Sequence, residues 1–309
     1  MRYNLWLMRT VMAVGIFVAF QNCRQKPKEE SVERFTSDST KIVVDDSFRP
    51  IVDEELYIFR ALYNNVHPRI TYAPENNAIN LLLADSMRVA VLSRDLNAQE
   101  YRALETKNIR PVADRFAIDA ISLIVNEASN DTLFTTSQIK DMLNGHTKLD
   151  KNIVFDNPNS GLVRYLKEFS GNRELKQKNI YALNSSKDVI AYVSQHANAI
   201  GIVGFSWLND PDKDYADKVR KVKIVGVMDD LNKTAPKEYY TPSQNTLALK
   251  QYPLTRNLYI INGTGQFGLG MKFVAFLKSD RGQRIILKSG LLPDEIPTRE
   301  IVIRRKITQ

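Results

Sequence analysis

From residue 41 onward the chain alternates between two hydrophobic periods. "KIVVDDSFRP" opens with a short β-branched run and ends in a polar turn, after which Ile51, Leu56, Phe59, Leu62 and Tyr63 recur at helical spacing. The pattern predicts a strand, a turn at Asp46-Ser47 and a helix. The same succession recurs in "RVAVLSRDLNAQEYRAL", with a strand over 88–92, a turn at Ser93-Arg94 and a helix from about Ala98. It recurs again after a strand over 152–155. There "FDNPNSGLVRYLKEF" places Asp156, Asn157, Pro158 and Asn159 in a turn and Ser160-Gly161 before a helix face of Leu162, Tyr165, Leu166 and Phe169. A helix start leaves backbone N–H groups without partners and carries partial positive charge. Each junction can therefore serve as an ordinary cap or hold an anion, and no single stretch decides between the two.

Between and beyond these junctions, "AIDAISLIVN" (117–126) is a nearly continuous apolar run suited to a buried strand, and "TSQIKDMLNG" (136–145) reads as a helix. Further strands are expected over 199–205, 221–228 and 258–261, with a last one at "EIVIRRK". Helices are expected over Asp188 to Gln195, Met271 to Lys278 and Gly282 to Lys288. Strands alternating with helices argue an α/β fold, and open α/β sheets bind ligands outside the carboxyl ends of their strands. The serine-bearing turns would gather there.

The first residues follow a different pattern. Arg2 and Arg9 flank the opening of an apolar run, Thr10 to Phe20, which has the length of a secretory h-region and falls short of a bilayer span. Residues 1–22 are expected to be a signal peptide. Cys23, the only cysteine, follows directly, so no internal disulfide is expected. Its position resembles the lipidation site of bacterial lipoproteins, with Phe20, Gln21 and Asn22 where small residues are usual. The alternative is a thiol beside an uncleaved anchor. Residues 24–40 are polar and mixed in charge, too poor in apolar groups to fold, and read as a flexible tether.

Charge and motifs narrow the function. The 309 residues carry a formal net charge of +8, spread along the chain rather than massed, so no nucleic-acid partner is expected. "GTGQFG", with Gly263, Gly265 and Gly268, matches a dinucleotide-binding pattern after a strand, but Asp280 is the nearest later acid and is wrongly placed. A glycine-rich surface loop is the expectation, and no cofactor. His67, His146 and His196 are far apart, and no nucleophile elbow or phosphate loop is present, which argues against a metal site and against an enzyme.

Several segments, in order over about 41–295, resemble the phosphate-type substrate-binding proteins of ABC transporters. "DDSFRPIVDEELYIFRALYNNVHP" is similar to that family's first anion segment and helix, and "VLSRDLNAQEY" to its Ser-Arg/Asp-x-Leu segment. "IDAISLIVN" with "TTSQIKDMLNG" is similar to its crossing strand and following helix, and "NAIGIVGFSWL", "YPLTRNLYII" and "FVAFLKSDRGQRIILKSGLLP" to later segments. The resemblance implies an α/β, two-lobed periplasmic-binding-protein fold of type II-like form, each lobe a sheet flanked by helices with the ligand cleft between them. The first lobe would be discontinuous, 41–122 plus 228–309, and the second would be 123–227. The implied ligand is inorganic phosphate or a similar tetrahedral oxyanion. It would be held by Ser47 and the N–H of Phe48, by Ser93 and Arg94, and by Asp156, Asn157, Ser160, Gly161 and Leu162. Family members often carry an acid where Arg94 stands and an arginine where Asp156 stands, so the two charges are exchanged here and phosphate-over-sulfate selectivity is open. Asp156 would accept a proton from the ligand or pair with Arg94. The implied partners are an ABC permease in the inner membrane and the membrane itself through the lipid anchor, for a monomer on the periplasmic side of a bacterial envelope. The alternative is an envelope lipoprotein of the same fold that binds another solute or acts as a sensor or adhesin.

Overall fold

The computed structural model describes residues 41–64, 66–146, 151–175, 177–265 and 268–297. The signal segment, Cys23, the tether and the "EIVIRRK" strand lie outside the described residues.

The described chain is a two-lobed α/β fold with helices flanking each sheet. It opens with β1 (Lys41–Asp45), a 3-10 turn (Asp46–Phe48), α1 (Arg49–Leu62), β2 (Arg69–Ala73), α2 (Glu75–Leu83), β3 (Val89–Leu92) and α3 (Ala98–Glu105). The long β4 (Val112–Asn126) leads to β5 (Leu133–Thr135), α4 (Thr136–Asn144), β6 (Asn152–Phe155), α5 (Gly161–Ser170), β7 (Ile180–Ala182), α6 (Ser186–Gln195) and β8 (Ala199–Gly204). Short helices α7 (Ser206–Asn209) and α8 (Ala216–Val219) precede β9 (Val222–Ile224), β10 (Gly226–Met228) and α9 (Gln244–Ala248). The chain then returns through β11 (Thr255–Asn262), α10 (Leu269–Leu277), α11 (Asp280–Lys288) and β12 (Leu292–Pro293).

The main sheet has the order β2-β1-β3-β11-β4-β8-β6-β7. Strand β4 belongs to both halves: residues 112–120 pair antiparallel with β11, and 121–125 pair antiparallel with β8. In the first half β1 lies parallel between β2 and β3, and in the second β6 lies parallel between β7 and β8. Each central strand is thus a point where successive connections diverge, and its carboxyl end opens a crevice.

The burial pattern explains the strand composition. In β1, Ile42 and Val44 enter a core with Phe59, Phe273 and Phe276, while Val43 faces the opposite core with Ala78, Leu82 and Leu104. Both faces are covered, so the strand is apolar without alternation. A third core in the other half gathers Ile124, Val154, Leu166, Val189 and Ile202.

The expected strand over 221–228 is two strands. Val225 N donates to Leu123 O at 2.9 Å, and Gly226 N donates to Thr132 O at 2.8 Å. The run therefore leaves the main sheet at Val225 and pairs parallel with β5 in a separate two-stranded sheet.

Among the described residues Glu55, on α1, is a fully buried acid without a hydrogen-bond partner on either carboxylate oxygen. Burial, reinforced by neighbouring Glu54, pushes its carboxyl up to about 9 from an ordinary value of 4.5. The folded state thus holds this proton more tightly than the unfolded chain does. The stability this proton confers is complete below about 4.5 and is lost as pH rises toward about 9. Glu55→Met, an unbranched apolar side chain of similar length, is expected to raise the melting temperature. The gain should grow from pH 5 to pH 9 and reach the order of 3 kcal/mol at pH 7. Thermal melts across that range check it, and a gain independent of pH contradicts it.

Candidate functional site

The three strand-to-helix junctions meet. β1 ends at Asp45, β3 gives way to Ser93, and β6 gives way to the turn that starts α5 at Gly161. A Cβ on Gly161 would lie 2.5 Å from Asp45 Oδ2, 2.5 Å from Ser93 Oγ and 2.7 Å from Glu75 Oε2. The first half of the molecule therefore presses three polar groups against the start of a helix from the second, and only glycine leaves room for them.

The donors at this meeting point are engaged by the chain's own carboxylates. Gly161 N donates to Asp45 Oδ2 at 3.1 Å, and Ser47 N donates to Asp45 Oδ1 at 3.2 Å. Ser93 N donates to Glu75 Oε2 at 3.0 Å, and Ser93 Oγ donates to the same oxygen. Glu75 stands at the first position of α2, where a negative charge is favoured by the helix dipole. Arg164, one turn after Ser160, reaches across: its Nε donates to Glu75 Oε1 at 2.6 Å and its Nη2 to Ser93 Oγ at 2.7 Å. Asn76 N donates to Asn159 O at 3.2 Å and Trp207 Nε1 to Ser47 O at 2.9 Å, closing further contacts between the halves.

Ser47 is buried, and its Oγ accepts from Arg256 Nη1 at 3.0 Å. Phe48 is buried with the Arg256 guanidinium 4.2 Å above its ring. Ser93 and Gly161 lie at the meeting point. Ser160 caps α5: its Oγ accepts from Val163 N and donates to Asp156 Oδ1 at 2.6 Å. Asn157 turns its side chain to Asn159 N. Leu162 is fully buried in the core of the second half, which leaves it only backbone groups to offer a ligand. Arg94 grips Glu100 with two hydrogen bonds of 2.8 and 2.7 Å, and its Nε lies 4.0 Å from Glu75 Oε1. Among the described ion pairs Arg94 and Asp156 do not meet, so the pairing considered for them is replaced by Arg94–Glu100 and Asp156–Ser160. In the glycine-rich segment Gly265 is exposed, whereas Gly263 is buried against Arg88 and Ile109.

Sequence reasoning missed Asp45, Glu75, Arg164, Asp119 and Arg256. Arg256 and Asp119 are cross-strand partners on β11 and β4. Both are buried, with Arg256 Nε and Nη2 on Asp119 Oδ2 at 3.1 and 2.9 Å. The carboxyl end of β8 packs on them, since a Cβ on Gly204 would lie 2.7 Å from Arg256 Nη2. This pair and Ser47 lock the first turn against the strand that joins the two halves.

Electrostatics follow from burial. Desolvation raises Asp45 to about 7, with Glu75 adding repulsion and Arg256 opposing it. Desolvation likewise raises Asp156 to about 6, against the lowering effect of the Ser160 hydroxyl and Arg256. Beside these acids a cavity of about 240 Å³ opens between Asp46, Arg49 and Pro74 on one side and Asp156, Ser160 and Trp207 on the other. Among the described residues no cluster of three or more His, Cys, Asp or Glu could hold a metal ion.

The chain belongs to the PBP superfamily, whose domain profile matches residues 30–281. It is similar to the phosphate-binding protein PstS of Borreliella burgdorferi, with 23% identity over 290 residues that cover 88% of this chain and 92% of that protein. Its fold is similar to that of a Clostridium perfringens protein provisionally described as a phosphate ABC transporter substrate-binding protein, solved with bound phosphate. That match has a TM-score of 0.68 and 22% identity, and covers 83% of this chain and 100% of the other. An ABC-type phosphate transport receptor from Vibrio cholerae matches with a TM-score of 0.60 and 19% identity, over 82% and 98% of the two chains.

The buried pair is testable. Arg256→Ala leaves Asp119 buried without its partner and is expected to destabilise the protein by about 3–5 kcal/mol. The double change Asp119→Leu with Arg256→Met, which removes both charges, is expected to recover most of that loss. Denaturant melts of the two variants decide it, and equal destabilisation in both contradicts the assignment.

Proposed function

We propose that this chain is the solute-binding lipoprotein of an ABC importer, a receptor rather than an enzyme, which takes inorganic phosphate or a similar tetrahedral oxyanion between its lobes. The observation that carries the reading is the convergence of the turns at Asp45–Phe48, Ser93–Arg94 and Asn157–Gly161 on one spot, where N–H and hydroxyl donors already bind carboxylate oxygens. Donors arranged for one oxyanion are arranged for another. Ser93, Ser160 and the N–H of Gly161 are the nearest donors, with Ser47, the N–H groups of Phe48 and Leu162, Asn157 and Arg94 around them and Asp156 as proton acceptor. The PstS similarity supports phosphate as the ligand and an ABC permease as the partner. Cys23 provides the lipid anchor, on the periplasmic side of the envelope. The lobes are 41–122 with 228–309, and 123–227, and they move about β4 and the return to β11.

A second reading, a receptor of this fold for a different solute or a sensor, is favoured by one observation. Asp45, Glu75 and Asp156 place three buried acids at the cleft, and these repel a dianion.

Calorimetric titration of the full chain in detergent, with phosphate and with sulfate, tests the first reading. Sulfate keeps its charge across neutral pH, so its binding reports only on the protein. Protonation of Asp45 near 7 and of Asp156 near 6 removes negative charge from the cleft. Affinity for sulfate is therefore expected to strengthen as pH falls through that window. Heat with neither anion at any pH moves the function to the second reading.

A further inference from the structure

The Glu75 carboxylate is fully buried and satisfied from several sides: by Ser93 N and Oγ, by Arg164 Nε, and at longer range by Arg94 Nε. These donors come from a strand-to-helix turn of one half and from a helix of the other. An anion between the halves needs this same set. Ser93 N has one hydrogen and Arg164 Nε has one hydrogen, and both point at Glu75. An external oxyanion cannot use them while Glu75 keeps them. Glu75 sits on α2, behind Pro74, whose lining of the interlobe cavity places that helix start at the edge of open space. A displaced Glu75 side chain would swing toward that cavity.

Resting on the oxyanion reading above, we propose that Glu75 is an internal competitor for the anion position. Its carboxylate occupies the Ser93–Arg164 donors, and the external anion binds by displacing it. Glu75 thereby sets both the affinity and the kind of ligand admitted. A ligand must present at least two oxygens, to replace Oε1 on Arg164 and Oε2 on Ser93. It must also repay the loss of a buried, multiply bonded carboxylate, which selects for compact oxyanions of high charge density over monocarboxylates. Asp45 plays the lesser part, because it yields only one backbone N–H across the lobes.

The test is titration of sulfate, and separately of phosphate, into the wild-type chain, Glu75→Gln and Glu75→Asp, each as full chain in detergent near pH 8, with acetate as the monocarboxylate control. Gln keeps the shape and removes the charge. Asp keeps a charge at the helix start but is one methylene too short to hold Ser93 and Arg164 together. Both are expected to bind sulfate more tightly than wild type, by on the order of tenfold, the effect of about 1.4 kcal/mol of relieved competition. Acetate affinity is expected to rise as well in Glu75→Gln, narrowing the preference for sulfate. Two variants with different chemistry keep the test alive if one of them fails to fold, which circular dichroism reports. Sulfate binding that is unchanged or weaker in the folded variants while wild type binds overturns the competitor role and makes Glu75 a structural acid or a ligand contact. No binding of sulfate or phosphate by wild type or by either variant overturns the oxyanion reading, and this proposal with it.

Discussion

A helix start buried between two lobes must find acceptors for its free N–H groups, because an unsatisfied buried donor costs about 1–3 kcal/mol. This requirement shapes the centre of the molecule. Turns from both halves carry their donors to one place, and Asp45 and Glu75 supply the acceptors. Those acceptors bring buried negative charge, which in turn needs Arg164, Arg94 and Arg256 nearby. They also need close approach, which position 161 permits only as glycine. The acids, the arginines and the glycine are thus consequences of one constraint.

The constraint also fixes what holds the lobes together here. Across the cleft the contacts are polar: a backbone N–H on a carboxylate, a guanidinium on a carboxylate and a hydroxyl, and a tryptophan N–H on a carbonyl. The apolar residues form three clusters, two on the faces of the first half-sheet and one centred in the second that also takes in Leu247, Tyr252 and Leu254 beside the crossing strands, away from the meeting point of the turns. Polar contacts can be exchanged for contacts to a solute, whereas a merged hydrophobic core could not open. The shared strand β4 keeps the halves in register, and the buried Asp119–Arg256 pair holds the Ser47 turn against it.

Much of this was legible in the sequence. The strand at 152–155 and the helix from Ala98 stand where the hydrophobic period puts them, and the serine-bearing turns lie at the strand ends. Helix α2 went unread although Pro74-Glu75 is a helix-start signal and Ala78, Ile79 and Leu82 repeat at helical spacing. With it Glu75 was missed. Arg164 lies four residues after Ser160, on the same helix face, but outside the apolar stripe of Leu162, Tyr165, Leu166 and Phe169 that marks the helix in the sequence. Asp119 with Arg256 could not be read at all, since their pairing depends on the register of strands far apart in sequence. The change of sheet at Val225 was hidden for a similar reason: a β-branched run looks the same whichever neighbour it bonds.

The most direct test of anion capture at these turns is a crystal structure of the protein grown in phosphate. A tetrahedral anion is expected within about 3 Å of Ser93 N and Gly161 N, with the Glu75 carboxylate moved off the Ser93 donors. The same donors still on Glu75 and Asp45, with the anion elsewhere or absent from the cleft, would contradict it.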